Sequence, residues 1–208
     1  VQGPYKLRSP FGNLDDEGYT QACVSDLIQL IDMTDASGFA ALIAEPIQGV
    51  GGFATPPDGF FGAMHKVLDA NGILFISDEV QTGWGRTGDH FWGYQAHGIV
   101  PDILTFAKGV GNGITLAGCV ARADVMNTIE RTSFTTFGGN PLSVAAGRAT
   151  LKYVLDHDLQ SNAAARGLQM TQRLQKIIDE TEWIAELRGK GLMLGIECVH
   201  PGGIEPNP

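Results

Sequence analysis

The chain is expected to fold as an α/β protein: a mostly parallel sheet with flanking helices, followed by the start of a smaller α/β unit. Three observations predict this. Residues 73–77 and 102–106 are short apolar runs, rich in β-branched or aromatic side chains and bounded by Gly or Pro, as buried strands are. Between residues 40 and 106, strand-like and helix-like stretches alternate, the pattern of a doubly wound sheet with right-handed crossovers. The third is composition: 208 residues, 43% hydrophobic and 18% charged, suffice to bury a core and do not describe a disordered chain.

The elements follow in order. Residues 1–22 mix Gly, Pro, Asn and acidic residues with little periodicity and read as a surface connection. Residues 24–32 set Val24, Leu27, Ile28 and Ile31 on one helical face. Residues 40–44 form a short apolar strand closing on Glu45-Pro46, and Gly49 to Gly52 read as a flexible loop. Over residues 57–71 an inner stripe of Phe60, Phe61, Met64, Val67 and Leu68 predicts a helix that Asn71-Gly72 stops. Beyond strand 73–77 a long polar, Gly-rich loop runs to Pro101 and strand 102–106. After Lys108 the GVGNG loop leads to a strand-like run at 117–122, and Asp124 is expected to cap a short helix through Arg131. Residues 133–140 are a Ser/Thr/Gly loop, and Pro141 suits the first position of a helix reaching about Leu155. A strongly amphipathic helix over residues 159–181 is expected to present Leu168, Met170, Leu174, Ile177 and Ile178 on one face. Residues 184–188 and 192–197 flank Gly189-Lys190-Gly191 as a β pair. A sheet that has only begun cannot bury its faces, so the sequence is expected to be truncated at both ends.

Charge and cysteine usage exclude several classes. A net charge of −9 speaks against a nucleic-acid or anionic-membrane surface, which Lys and Arg would drive. No stretch approaches the roughly 20 apolar residues of a membrane span, and the N-terminus lacks a basic-then-apolar signal pattern. Cys23, Cys119 and Cys198 are odd in number and far apart, which favours structural thiols in a reducing compartment and a cytoplasmic location. The histidines (His65, His90, His97, His157, His200) show no metal-ligand spacing, so no metal site is expected. The 28 glycines concentrate in loops beside the apolar runs, where backbone must come close to something.

Two strands each end in an ionisable residue: Asp78 after the first, Lys108 after the second. Open parallel sheets bind ligands outside the carboxyl ends of their strands. Lys108 is followed at once by glycines, so its ammonium is expected to be partly desolvated and its pKa pushed down, as suits an amine that attacks a carbonyl. The plain alternative is a snorkelling surface lysine. A carboxylate kept ionised where Asp78 stands can hold a pyridine nitrogen protonated and make the ring an electron sink; the alternative is a helix cap or an ion-pair partner. Val80 offers an apolar side chain to a flat ring, and Gln81 can reach an oxygen on it. The stretch from Thr135 to Pro141 places hydroxyls and glycines at a helix start, which suits a phosphate or an ordinary cap. The GVGNG loop is neither GxGxxG nor a P-loop, so a dinucleotide site is poorly supported.

Taken together, SDEVQTGWGRTG, FAKGVGNG and TFGGNPL, with AEPIQG upstream and RGKGLMLGIE downstream, resemble the class III (ω-type) pyridoxal-phosphate-dependent aminotransferases over nearly the whole chain and in the right order. The resemblance implies PLP fold type I, pyridoxal 5'-phosphate as cofactor, an amino donor and a 2-oxo acid acceptor, and a homodimer with the active site at its interface. It makes Lys108 the Schiff-base lysine that also carries protons, Asp78 the partner of the pyridine nitrogen, and Val80 the side chain against the ring. Gln81 falls near the phenolic oxygen, Glu45 of AEPIQG among the cofactor-binding residues, and Thr136 at the phosphate held by the neighbouring subunit.

Two positions depart from the pattern: Val50 stands where many members carry Glu, and Thr115 where proline is common. The first, with the run AEPIQGVGG and the segment HFWGYQAHG, makes the chain resemble the alanine–glyoxylate aminotransferase 2-like branch. The family's phosphate-binding glycine/serine loop and ring-stacking aromatic are expected before residue 1, and its carboxylate-binding arginine beyond Pro208. Residues 1–140 then correspond to the C-terminal part of a large cofactor-binding domain, 141–183 to linking helices and 184–208 to the start of a small domain. The competing readings are an aminomutase or racemase on the same scaffold, and a non-catalytic fragment.

Overall fold

A computed structural model describes residues 1–132 and 134–207; Ser133, where the expected 133–140 loop begins, and Pro208 lie outside the described residues. In chain order the elements are α1 (Asp16–Thr34), β1 (Ala41–Ala44), α2 (Phe60–Ala70), β2 (Leu74–Asp78), β3 (Ile103–Phe106), β4 (Gly118–Ala121), α3 (Ala123–Met126), α4 (Pro141–Asp156), α5 (Leu159–Ile178), β5 (Ile184–Lys190) and β6 (Met193–Cys198).

The first sheet has the order β1-β2-β3-β4. Its first three strands are parallel and β4 returns antiparallel to β3. The α/β class therefore holds, with a mostly parallel sheet. β5 and β6 form the expected separate antiparallel pair, but Gly189 and Lys190 belong to β5 and the turn is Gly191-Leu192. The core lies where α1 and α2 cover β1 and β2: Tyr19, Cys23, Leu27, Phe60, Met64, Leu68 and Phe75 are buried there. Burying one such side chain is worth about 1.5–3 kcal/mol, so this cluster is the main anchor of the sheet. At the amino end of the strands, Asp102 is buried and accepts from the Phe75 N–H at 2.7 Å, while Arg122 donates to its other oxygen at 2.6 Å. The clamp ties β2, β3 and β4 together.

Several expectations need correction. Residues 1–22 are not all connection, because α1 starts at Asp16 with Asp15 as its cap, accepting from the Gly18 N–H at 2.8 Å. Two acids in its first turn favour that end of a helix. Its inner face carries Tyr19 and Cys23, whereas Ile28 is 42% exposed. α2 begins at Phe60, later than residue 57, because Gly59 takes a left-handed turn with φ of 79° just before it. Asp124 caps nothing: it pairs with Arg122, and α3 stops at Met126, well short of Arg131. The loop before Pro101 contains a short 3-10 turn over Gly93–His97. In α5 the expected apolar stripe is only partly covered; Leu168, Met170 and Ile177 are exposed, Leu174 and Ile178 are half-buried, and the helix seats itself through Ala163 and Gly167. A Cβ at Gly167 would strike the backbone of Gly191, so close backbone approach fixes that contact. Pro141 does open α4, capped by Asn140 accepting from the Ser143 N–H at 2.9 Å.

Candidate active site

Parallel pairing delivers the charged residues to one edge. Ala44 lies beside Ser77 and Asp78 beside Thr105, so Glu45, Asp78 and the turn carrying Lys108 all leave the sheet at its carboxyl end. Asp78 is half-buried; its Oδ1 accepts from the Val80 N–H at 3.0 Å, and its Oδ2 has no partner among the described residues. One carboxylate oxygen is thus available to a ligand. Glu45 accepts from the Gly49 N–H at 2.9 Å. A Cβ at Gly49 would strike the Gln81 side chain and come within 3.1 Å of Glu45 Oε2, so Glu45, Gly49 and Gln81 meet in one place.

Lys108 is exposed, contrary to the expectation of desolvation. The glycines after it leave its stem uncovered among the described residues. Its backbone is unusual instead: φ is +48°, a conformation that costs a non-glycine residue on the order of 1–3 kcal/mol. A cavity of about 320 Å3 opens beside it, lined by Val80, Gln81 and Lys108 together with Phe53, Trp84 and Arg86. Asp78, Glu45 and Thr136 do not line it. Thr136 sits on an exposed loop between Phe134 and Phe137, which are 85% and 82% exposed.

Sequence reasoning passed over several residues near this edge, of which Trp84 lines the cavity itself. Glu79, next to Asp78, is fully buried and accepts from Ser77 Oγ, Thr82 Oγ1 and the Gly93 and Tyr94 N–H groups. Strand alternation was the available signal, since a residue following Ser77 by two faces the same side. Trp84 stacks edge-on against Phe91, Trp92 and Phe106 at 5.3–5.8 Å and adopts φ of +66°. Arg188 is buried, donates to the Gly52 carbonyl at 2.7 Å and to Glu186 and Glu197 at 2.8 Å each, and so holds the loop that carries Phe53. Burial opposes ionisation of Glu197, but hydrogen bonds from Arg8, Tyr5 and Arg188 prevail and hold its carboxyl down at about 2. His97 is buried with its Nδ1 unpartnered, and burial pushes its pKa down to about 4. No group of three or more His, Cys, Asp or Glu able to hold a metal occurs among the described residues.

The chemistry present suits a carbonyl-bearing pyridine phosphate in part. A primary amine, a carboxylate with an unused oxygen, a flat-sided valine and an amide are brought to one sheet edge, whereas Thr136 is exposed and does not line the cavity. The comparisons agree with the fold and go beyond it. An amine transaminase of an uncultivated Pseudomonas species, solved in its PLP-bound form, superposes with a TM-score of 0.89 at 36% identity, over 94% of this chain and 46% of that one. The architecture is that of a transaminase. The family model for aminotransferase class-III matches residues 4–206, and the chain belongs to that family. Among curated relatives, human mitochondrial alanine–glyoxylate aminotransferase 2 is 43% identical over 166 residues, 79% of this chain and 32% of the relative. An alanine/serine racemase of Pyrococcus horikoshii is 41% identical over 81% of this chain and 35% of its own length. The chain thus spans about a third of these curated relatives.

Proposed function

We propose that the chain belongs to a pyridoxal-phosphate-dependent transaminase that moves an amino group from an amino acid or ω-amine donor to a 2-oxo acid, with alanine and glyoxylate as the model pair. The observation that carries the reading is that adjacent parallel strands bring Asp78, paired with Thr105, and the turn that opens with Lys108 to the same sheet edge, one with an unused carboxylate oxygen and the other with a strained backbone and an unpaired amine. Pyridoxal phosphate, when bound, supplies an electrophilic carbonyl and a protonated ring that takes up the electrons released at the substrate carbon. Lys108 would be the residue that holds the cofactor, and its Nζ would act as the general acid–base that moves a proton at the substrate carbon. Asp78 Oδ2 would hold the ring nitrogen protonated, Val80 would offer an apolar side chain to the ring, and Gln81, set by Glu45 and Gly49, would serve its phenolic oxygen.

Thr136 serves the phosphate held by a second copy of the chain. Support for that homodimer comes from three exposed apolar side chains close to it in sequence, Phe134, Phe137 and Leu142, which a second copy would cover. In this reading residues 1–140 complete a large domain, 141–183 link, and 184–208 begin a small one. The test is turnover of L-alanine with glyoxylate by wild type and Lys108→Ala; loss in the variant is expected, and retained activity would sink the proposal. The racemase among the relatives favours a second reading. Loss of optical activity without any amino acceptor would select it.

A further inference from the structure

We infer that Arg86, beside Lys108, forms a subsite for the carboxylate of a small acid substrate. The inference rests on the role of Lys108 proposed above and names the substrate class for that site. Both cations line the same cavity of about 320 Å3, at the lower end of the size range of small-molecule pockets. The guanidinium lies over the lysine turn, since Arg86 Nη2 is 3.8 Å from where a Cβ of Gly109 would stand. Arg122 and Arg188 are each spent on two carboxylates, whereas Arg86 and Lys108 have no ion pair among the described residues. Two unpaired cations in one concavity of a chain with net charge −9 make a local field that draws an anion.

The backbone under Arg86 is fixed with unusual care for a solvent-facing residue. Its carbonyl accepts from the Leu192 N–H at 3.0 Å. A Cβ at Gly85 would meet Gln160 at 2.9 Å and one at Gly88 would meet Ala164 at 2.7 Å, so the loop lies flat on α5. A Cβ at Gly191 would come within 2.6 Å of the Arg86 carbonyl, which locks the loop against the β5–β6 turn as well. Of the six non-glycine residues with positive φ among the described residues, three, Phe53, Trp84 and Lys108, line this cavity. Stored backbone strain gathers at ligand sites. Val80, Val154, Leu159, Leu192 and Met193 give the wall an apolar part that suits the carbon chain of the acid, beside the polar Gln81, Thr150 and Asn162. A planar guanidinium fork pairs two carboxylate oxygens at once.

Calorimetric titration of the folded chain with lactate, lactamide and inorganic phosphate tests this without turnover. Lactate is expected to bind at least about 10-fold more tightly than lactamide, a difference of about 1.4 kcal/mol. Arg86→Gln should weaken lactate by about the same factor and leave lactamide unchanged, with Arg86→Lys in between. Melting temperatures within a few degrees of wild type show that the variants fold, and Arg86→Lys serves if Arg86→Gln does not. Equal lactate affinity in the variants, no lactate binding by the wild type, or an Arg86-dependent preference for phosphate over lactate would each overturn the subsite. Covalent retention of pyridoxal phosphate on Lys108 in Arg86→Gln reads the proposed cofactor chemistry separately. Retention with unchanged lactate binding defeats the subsite alone, and Arg86-dependent lactate binding without retention defeats the cofactor role alone.

Discussion

The two ends of the first sheet carry comparable residue types and use them in opposite ways. At the amino end, Asp102 is 4% exposed and both its oxygens are occupied, by the Phe75 amide and by Arg122. At the carboxyl end, Asp78 has one oxygen engaged and one unused, and Lys108 and Arg86 are unpaired among the described residues. Glu79 shows that position along the strand does not by itself decide this: one residue past Asp78, it points to the other side and is saturated. A charge whose partners are all internal holds the fold, and a charge with capacity to spare is available to a ligand. The difference is one of hydrogen-bond accounting.

That contrast can be broken by mutation. The largest stability effect is expected from Glu79→Ala, which leaves the buried Gly93 and Tyr94 amides without acceptors and costs about 2–5 kcal/mol in urea unfolding. His97 follows. Its folded-state pKa lies near 4 and its ordinary value is 6.5, so the unfolded chain binds the extra proton first. Stability is full above pH 6.5 and declines as pH falls from 6.5 towards 4, by on the order of 3 kcal/mol. His97→Gln should flatten that slope in melts across the window. Asp102→Asn keeps the Phe75 contact and weakens the link to the half-exposed Arg122, for a loss of about 1–2 kcal/mol. Smallest is Asp78→Ala, under about 1 kcal/mol in the same melts, accompanied by loss of cofactor retention. A large fall in stability there would place Asp78 with Asp102 as a structural acid.

Much of this was legible in the sequence. The runs at 73–77 and 102–106 are short and apolar, and their alternation with α2 was enough to set Asp78 and Lys108 on one edge, because parallel strands send all their carboxyl ends the same way. Asn140-Pro141 announced α4 by the same kind of local chemistry. What was not legible depends on neighbours distant in sequence. The helical period of α5 is real, yet periodicity says nothing about whether a face is covered, and Leu168 is 61% exposed. Lys108 read as desolvated because it follows apolar residues, but its surroundings are the open cavity wall. Arg86 hid in the GWGRTG run, where glycines drew attention to the loop and away from its single cation. His97 carried no signal, since its burial comes from packing on Phe61 at 5.0 Å.

The most direct measurement is to incubate the folded chain with pyridoxal phosphate, reduce with borohydride and map the labelled peptide. A single pyridoxyl adduct on Lys108 is expected, formed by wild type and lost in Lys108→Ala and Asp78→Ala. Label spread over surface lysines such as Lys66 and Lys176, or no label at all from a folded chain, would contradict it.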